Sequence, residues 1–191
     1  MEAEASGAVE RARSGDNQAF RLLVEQYGRA IFRLAYRMTG NEQDAEDIVQ
    51  ETFLKAYRQI NKFDARASFS TWLYRIASNC SLDLIRKRKT RERNRERGPD
   101  PDRDVLGSFP SPTPGPDREL YSSQISLCVN AALDELSGQE RVAFILRHFE
   151  GLSIEEIGLA LGTGASATKH SIFRAVQKLR RSLEPLVSSA R

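Results

Sequence analysis

The sequence predicts an all-α protein of two small helical domains joined by a linker. Apolar residues recur at helical spacing along most of the chain, and no segment alternates apolar and polar residues as a β-strand does. Six of the seven prolines fall within residues 98–117, which follow neither period. This proline-rich linker predicts a first domain at residues 17–97 and a second domain at residues 118–187.

The composition is that of a soluble globular protein. Of the 191 residues, 40% are hydrophobic and 29% are charged, and the net charge is only +3. No apolar run approaches the ~18 residues that span a bilayer. Residues 1–16 carry acids where a secretion signal needs a basic start. We therefore expect a cytoplasmic protein that does not insert into a membrane.

The cysteines and histidines do not form a metal-binding pattern. Cys80 and Cys128 lie far apart without a C-x-x-C spacing, and the chain has only two histidines, His148 and His170. We expect each cysteine to pack as a small hydrophobe, and the sequence leaves a redox role open. The chain also lacks a phosphate-binding glycine loop and a cluster of titratable residues. These observations predict no metal, no cofactor and no catalytic residue.

Three helical segments are expected in the first domain, at residues 19–40, 41–60 and 67–89, with a loop at residues 61–67. The second segment has an apolar stripe opposite a polar face that includes one leucine. The simplest interpretation of the polar face is an ordinary solvated surface, and a partner-binding surface is the alternative. The apolar stripe consists of Ala45, Ile48, Val49, Thr52, Phe53, Ala56 and Ile60. The polar face consists of Asp47, Gln50, Glu51, Leu54 and Arg58.

Aromatic and basic residues of the first domain indicate nucleic-acid binding. Residues 85–97 hold eight basic residues against two acids, and they continue a helix that carries Asn79, Asp83 and Arg86 on one flank. Just upstream, aromatic residues alternate with arginines, which suits unstacked bases and their phosphates. In the alternative, the aromatics belong to the core and the basic run is a solvated helix end. We favour nucleic acid because the loop, the aromatics and the basic run occur together. The upstream residues are Phe63, Arg66, Phe69, Trp72, Tyr74 and Arg75.

The second domain is predicted to contain a helix at residues 137–151 that a glycine ends. Ser153 is expected to cap the next helix, with Glu156 three residues later completing a capping box. A glycine-bearing turn at residues 162–165 then reverses the chain, and Ser166 is expected to cap the last helix. The predicted buried stripe of the first of these helices is Val142, Ile145, Leu146 and Phe149.

The last two helices match the helix-turn-helix plan, in which the second helix enters the major groove of DNA. The last helix has one apolar face and an outward basic face. We expect Ser171 and Arg174 to contact base edges, and Lys169, Lys178 and Arg181 to contact phosphates. A helical hairpin without DNA is the alternative, but it would not need a glycine turn together with a basic outward face.

Two motifs stand in order along the chain, DAEDIVQETFLKAY…FSTWLYRIASN…D-x-x-R and the C-terminal KHSIFRAVQKLR. Together they resemble the extracytoplasmic-function class of bacterial sigma factors, from about residue 19 to residue 183. The resemblance implies that the first domain, region two, binds the clamp helices of the core RNA polymerase β′ subunit and melts the −10 promoter element. It implies that the second domain, region four, binds the β flap and reads the −35 element. It also leaves room for an anti-sigma factor as a partner.

The resemblance reverses the interpretation of the polar face of the second helix, because this face matches the family's contact with core polymerase. The loop at residues 62–70 matches the segment that captures a flipped base, and Trp72 lies where the strands separate. The implied core-polymerase contacts are Asp44, Asp47, Gln50, Glu51 and Leu54. The implied −10 contacts are Lys62, Phe63, Arg66, Phe69, Trp72, Asn79, Asp83 and Arg86.

The recognition helix departs from the family pattern at two positions. Family members often carry arginine or another long polar residue in place of Ser171, and valine in place of Thr168. We therefore expect an unusual −35 sequence. The implied −35 contacts are Ser166, Lys169, His170, Ser171, Arg174 and Lys178. A helix-turn-helix regulator that acts without core polymerase is the alternative function.

Overall fold

The computed structural model describes residues 2–64, 67–95 and 131–189, with side chains described for residues 7–64, 67–91 and 131–184. All regular structure within these ranges is helical, which confirms the predicted fold class. A 3-10 turn at Ile60–Lys62 follows the third helix. Residues 131–134 are also helical and adjoin residues outside the described ranges. The helices whose bounds both lie in the described ranges are α1 (Glu2–Arg13), α2 (Asn17–Thr39), α3 (Glu42–Gln59), α4 (Phe69–Arg95), α5 (Gly138–His148), α6 (Ile154–Leu161) and α7 (Ala165–Ser189).

Helix α2 lies at the centre of the first domain. Asp16 starts it by accepting hydrogen bonds from the N–H groups of Gln18 and Ala19. The side chain of Arg11 donates to the same carboxylate and lowers the pKa of Asp16. Gly40 ends the helix in the left-handed conformation with φ 68°. The buried residues of α2 are Ala19, Leu23, Ile31, Leu34, Ala35 and Met38.

Helices α3 and α4 pack against α2 and against each other. The side-chain oxygen of Asn41 caps α3 by accepting from the N–H of Asp44 at 2.9 Å. At the start of α4, Ser68 Oγ accepts from the N–H of Thr71 at 3.1 Å. The apolar stripe predicted for α3 is confirmed, with one valine only half-buried. Helix α4 continues through the basic run to Arg95, as the sequence indicated.

Capping boxes begin α5 and α6. In α5, Ser137 Oγ accepts from the N–H of Glu140, whose carboxylate accepts from the N–H of Ser137. Ser153 and Glu156 form the same pair of hydrogen bonds at the start of α6, as predicted. Because each box satisfies two N–H groups that a helix cannot pair internally, the box fixes where its helix begins.

Helix α7 begins two residues earlier than a cap at Ser166 predicts. Gly162 ends α6 in the left-handed conformation with φ 65°, and α7 starts at Ala165. The prediction that Ser166 caps α7 is therefore wrong, because Ser166 already lies in the first turn. Its carbonyl oxygen lies 2.9 Å from Nδ1 of His170 instead.

Phe149 is not part of the buried stripe of α5, contrary to the prediction. Helix α5 ends at His148, and Phe149 is the residue that caps its C-terminus, with its N–H still donating to the carbonyl oxygen of Ile145. The ring is 54% exposed, and the guanidinium carbon of Arg37 lies 4.3 Å from its centroid. The other three predicted residues of the stripe are buried.

The two domains pack against each other. Helix α6 lies against α4, and α5 lies against α2. Val142, Leu146 and Ile157 of the second domain are buried in one continuous cluster with Leu34 and Leu73 of the first. A smaller cluster within the second domain consists of Ala132, Leu136, Ala175 and Leu179. The sequence did not indicate the contact between the domains.

Candidate polymerase and nucleic-acid interfaces

The polar face of α3 is open to solvent. Asp47, Gln50 and Glu51 are exposed, and Leu54 is 52% exposed among them. Glu51 pairs with Lys55 one turn later, at 3.1 Å. An exposed leucine between acids and an amide gives this face an apolar contact surrounded by hydrogen-bonding groups, as protein interfaces have.

Asp44 is placed differently from the rest of the polar face. It is half-buried, and its carboxylate accepts a 2.6 Å hydrogen bond from Arg88 in the basic run of α4. Asp44 therefore ties the start of α3 to α4. This ion pair joins the implied polymerase face to the basic run.

A groove of about 690 Å³ borders the polar face, and sequence reasoning missed it. It runs between α2 and α3, and Gln50 belongs to both the groove and the polar face. Glycine at position 28 leaves open space at its wall. The other residues that line it are Arg29, Phe32, Arg33, Glu46 and Val49.

The aromatic residues before α4 form one packed cluster. The ring centroids of Phe63, Phe69 and Trp72 lie 5.4 to 5.5 Å from one another, and Tyr27 of α2 lies 5.6 Å from Phe69. Phe69 is buried, whereas Phe63 and Trp72 are half-buried. The cluster is thus part of the core on one side and accessible on the other. The core interpretation is confirmed for Phe69, and the nucleic-acid interpretation of Phe63 and Trp72 stays a prediction.

The flank of α4 predicted to face the −10 element is exposed. Asn79, Asp83 and Arg86 lie on one side of the helix, and Asp83 pairs with Arg86 at 3.1 Å. Arg75, one turn before Asn79, extends this flank toward the aromatic cluster. Lys62 is exposed at the end of the 3-10 turn. Arg66 lies outside the described residues.

The outward side of α7 carries most of the residues predicted to read the −35 element. Ser166, Lys169, His170 and Arg174 are exposed, and Ser171 is half-buried. Each lies within the first ten residues of the helix, which is the part that enters the major groove in a helix-turn-helix.

Lys178 is engaged within the second domain. Its ammonium lies 2.7 Å from a carboxylate oxygen of Glu140 and 3.3 Å from the carbonyl oxygen of Glu135. Burial alone would raise the pKa of Glu140, but the hydrogen bonds from Lys178 and Ser137 outweigh it and lower the pKa. Lys178 would have to leave this ion pair to contact a phosphate.

Phe173 is a surface residue of α7 that sequence reasoning missed. It is 57% exposed and lies three residues after His170, on the outward side. Phenylalanine in the major groove can contact the methyl group of thymine. The signal was present in the sequence, because Phe173 lies outside the apolar register of Thr168, Ile172 and Ala175.

Thr168 holds the turn between α6 and α7. It is fully buried, and its hydroxyl lies 3.1 Å from the carbonyl oxygen of Gly164 and 3.0 Å from the hydroxyl of Thr163. A Cβ atom at Gly158 would lie 2.8 Å from the carbonyl oxygen of Thr163. The absence of a side chain at Gly158 therefore sets how closely α7 approaches α6.

Within the described ranges, no group of three or more histidine, cysteine or acidic residues is placed to hold a metal ion. Cys80 is buried, and the Lys55 ammonium lies 3.4 Å from its sulfur. Cys128 lies outside the described residues. None of the helices in the part of the chain that the structure describes is long and apolar enough to cross a membrane.

Two protein-family models match the chain. Sigma-70 region 2 matches residues 23–91, and Sigma-70, region 4 matches residues 126–179. Together these matches span more than half of the sequence.

Individual relatives agree with the family models. The chain is 34% identical to the ECF RNA polymerase sigma factor SigW of Bacillus subtilis over 187 residues, which cover 97% of this chain and 100% of SigW. It is 37% identical over 158 residues to SigE of Mycolicibacterium smegmatis, covering 83% of this chain and only 59% of SigE. The solved structure of CnrH in complex with the cytosolic domain of CnrY aligns with a TM-score of 0.69 at 26% identity, covering 95% of this chain and 98% of CnrH. The chain therefore belongs to the sigma-70 family, among the ECF RNA polymerase sigma factors.

Proposed function

We propose that this protein binds core RNA polymerase in the cytoplasm, directs it to specific promoters and opens the promoter duplex without catalysing a covalent step. Residues 17–97 act as region two, residues 98–117 as the linker and residues 118–187 as region four. One observation carries the proposal: a single chain exposes a polar face with a central leucine and two separate faces suited to nucleic acid. A regulator that binds DNA without polymerase would not need the polar face with its central leucine.

The polar face of α3 supports binding to the clamp helices of the β′ subunit. Full burial of an exposed leucine side chain is worth about 1.5–3 kcal/mol, and Leu54, which is 52% exposed, offers about half of that. Glu51 and Asp47 beside it offer acceptors for basic residues of a partner. The groove between α2 and α3 extends this surface. A docked helix pair would cover the face and leave α4 free for DNA.

The accessible side of the aromatic cluster and the flank of α4 support melting and capture of the −10 element. Unstacked bases gain about 1–3 kcal/mol from stacking on an aromatic side chain, which offsets the few kcal/mol that base extrusion costs. Trp72 and Phe63 present ring area there, with Arg75 nearby for phosphates and Arg86 on the same flank in an exposed pair with Asp83. Asn79 has an amide that can hydrogen-bond a base.

Trp72→Ala is expected to impair promoter opening about tenfold, because the strand-separating ring is lost, and to leave binding to a pre-melted template within about twofold. Permanganate reactivity of unpaired thymines measures opening, and filter binding of holoenzyme measures affinity. Trp72→Phe is the matched control, because it keeps a ring in contact with Phe63 and Phe69. Equal losses on duplex and pre-melted templates would assign Trp72 a purely structural role.

The outward side of α7 supports reading of the −35 element in the major groove. Arg174 is placed to donate to guanine, and Ser171 and His170 to hydrogen-bond neighbouring bases. Phe173 joins this reading surface through contact with a thymine methyl group. Lys169 is placed for phosphates.

Arg174→Ala is expected to cost ~1–3 kcal/mol in binding to a −35 duplex and to relax the choice of base at one position. Lys169→Ala is the matched comparison, because Lys169 is an exposed cation of the same helix whose loss should weaken all sequences evenly. Binding of both variants to a pool of randomised −35 duplexes measures the difference. An even loss across sequences for both variants would show that Arg174 does not read a base.

An anti-sigma partner belongs to the proposal because the resemblance to the sigma family leaves room for one, and CnrH, which this chain resembles, is found in complex with the cytosolic domain of another protein, CnrY. Addition of the purified chain to core RNA polymerase tests the main function. The sigma function predicts a holoenzyme that starts transcripts at defined promoters. A helix-turn-helix regulator would bind the promoter and leave core polymerase without specific starts.

A further inference from the structure

The carboxylate of Glu150, between α5 and α6, is held by side chains of the first domain. Its two oxygens accept from Arg37 Nη1 at 3.2 Å and from Arg33 Nη2 at 3.2 Å, and the hydroxyl of Tyr74 donates to the second oxygen at 3.1 Å. The Glu150 side chain is only 3% exposed. A buried carboxylate with three donors from another domain is a specific interdomain contact rather than a chance surface ion pair.

Neighbouring contacts support the same arrangement. The ring of Phe149 lies against the Arg37 guanidinium at 4.3 Å, and Arg141 Nε donates to the carbonyl oxygen of Arg37 at 3.3 Å. Burial, and then the charge of Glu150, raise the pKa of Tyr74, so its hydroxyl keeps the proton that it donates. Arg37 is thus held by three residues of the second domain.

These contacts place the two DNA-reading helices close together. On α4, Tyr74 lies before Asn79 and contacts Glu150 of the second domain, and Leu82 lies after Asn79 and faces Gly138. Helix α6 packs against α4, and α7 packs against α6. Packed helix axes lie about 8–10 Å apart, so the α7 axis lies at most about 20 Å from that of α4 where α6 packs against both.

A promoter requires a much larger separation. The −10 and −35 positions differ by about 25 base pairs, which corresponds to about 85 Å of B-form DNA at 3.4 Å per base pair. The reading faces themselves remain exposed, so the packed arrangement leaves each free to meet DNA. What it prevents is contact with both elements at once. Residues 98–117 would reach about 70 Å if fully extended, so the chain is long enough for the domains to separate.

We propose that Glu150, with Arg33, Arg37 and Tyr74, forms an intramolecular latch that keeps the two domains of the free protein together and limits it to one promoter element at a time. This inference rests on the proposed sigma function. Arg33 also lines the groove beside the polymerase-binding face, so a partner seated there would compete with Glu150 for this arginine. Release of the latch would then accompany binding to core polymerase.

Small-angle X-ray scattering of the full chain tests the latch without DNA. A compact chain of this length has a radius of gyration of about 16 Å. Glu150→Arg places three cations together, so we expect its radius to exceed that of the wild type by at least about 3 Å. Arg33→Glu should do the same. In the double variant the two exchanged side chains can pair again, but Arg37 still faces the new cation, so its radius should lie between those of the single variants and the wild type. Glu155→Arg is the control, since Glu155 is an exposed acid of α6.

Far-UV circular dichroism checks that each variant is folded. If Glu150→Arg loses helicity, Arg33→Glu provides the test, because the Arg33 side chain is half exposed and its replacement disturbs the core less. The inference is overturned if both single variants keep the wild-type radius with normal helicity, or if the double variant is as expanded as the singles.

Two DNA probes, taken from a promoter that is mapped by transcript starts after overexpression, test the consequence. One is a −35 duplex, and the other is a fork with a −35 duplex and a single-stranded non-template −10 element. Glu150→Arg is expected to bind the fork about tenfold more tightly than the wild type, because it no longer populates the closed form, and the −35 duplex equally. Equal affinity for the fork would overturn the latch. Failure of every variant on the −35 duplex would count against the proposed function, while scattering would still decide the latch.

Discussion

Glu51→Arg combined with Leu54→Glu is expected to abolish binding to core RNA polymerase. The double change reverses one charge of the exposed face and replaces its central apolar side chain with a charge, so a complementary surface would meet repulsion and buried charge. Loss of a central interface side chain alone costs about 2 kcal/mol or more. Co-elution of the chain with core polymerase in gel filtration measures the effect.

A matched control lies on α2. Leu22 is also 52% exposed, and Glu25 follows it at the same spacing of three residues. Leu22→Glu with Glu25→Arg therefore makes the same chemical changes on another surface and should leave co-elution intact. Both variants should retain the helical signal in circular dichroism, because none of the four side chains is buried. If Glu51→Arg with Leu54→Glu still co-elutes with core polymerase, the polar face of α3 does not bind core polymerase.

Gly158→Val is expected to destroy binding to the −35 duplex while the first domain stays folded. A Cβ atom at this position would lie 2.8 Å from the carbonyl oxygen of Thr163, and backbone in a tight turn cannot move aside as a flexible side chain can. Overpacking of this kind costs about 1–3 kcal/mol, and relief would tilt α7 away from α6. Duplex binding and thermal unfolding of the full chain measure the two effects.

Gly28→Val is the control for the chemical change itself. Gly28 lies within α2, and a Cβ atom there meets no atom within 4 Å. Valine there should leave −35 binding unchanged and should alter stability only through the helical preference of the two residues, which differs by less than about 1 kcal/mol. If Gly158→Val binds the −35 duplex as tightly as the wild type, then the turn tolerates a side chain at this position and the close contact at Gly158 does not fix the position of α7.

The helices with strong signals were predictable from the sequence. The periodic apolar stripe of α3 and the capping box at Ser153 are local features, so a single pattern determines each. Helix α1 was not predicted, because its core contacts come from small residues, Val9 and Ala12, that make no conspicuous stripe. Phe149 was misplaced because apolar spacing shows on which face of a helix a residue lies, and not whether another element covers that face.

The candidate sites were predictable to different degrees. Periodicity alone left the face around Leu54 undecided, since an exposed leucine is common on protein surfaces. The Glu150 latch joins residues that are 76 to 117 positions apart, and no local pattern encodes such a pairing. The ion pair of Lys178 with Glu140 likewise depends on the packing of α5 against α7.

The ion pair between Asp44 and Arg88 affects how binding responds to ionic strength. A protein cation that contacts DNA releases a condensed counterion from the phosphate, and each contact steepens the fall of log K with log salt by about 0.7 for a single strand. Arg88 is already neutralised by Asp44, and Arg86 by Asp83, so neither adds a full unit of charge to the basic run. Non-specific adhesion of α4 to nucleic acid is correspondingly weaker than its eight basic residues suggest. The ratio of specific promoter binding to non-specific DNA binding is therefore higher, since less of the binding energy is independent of sequence.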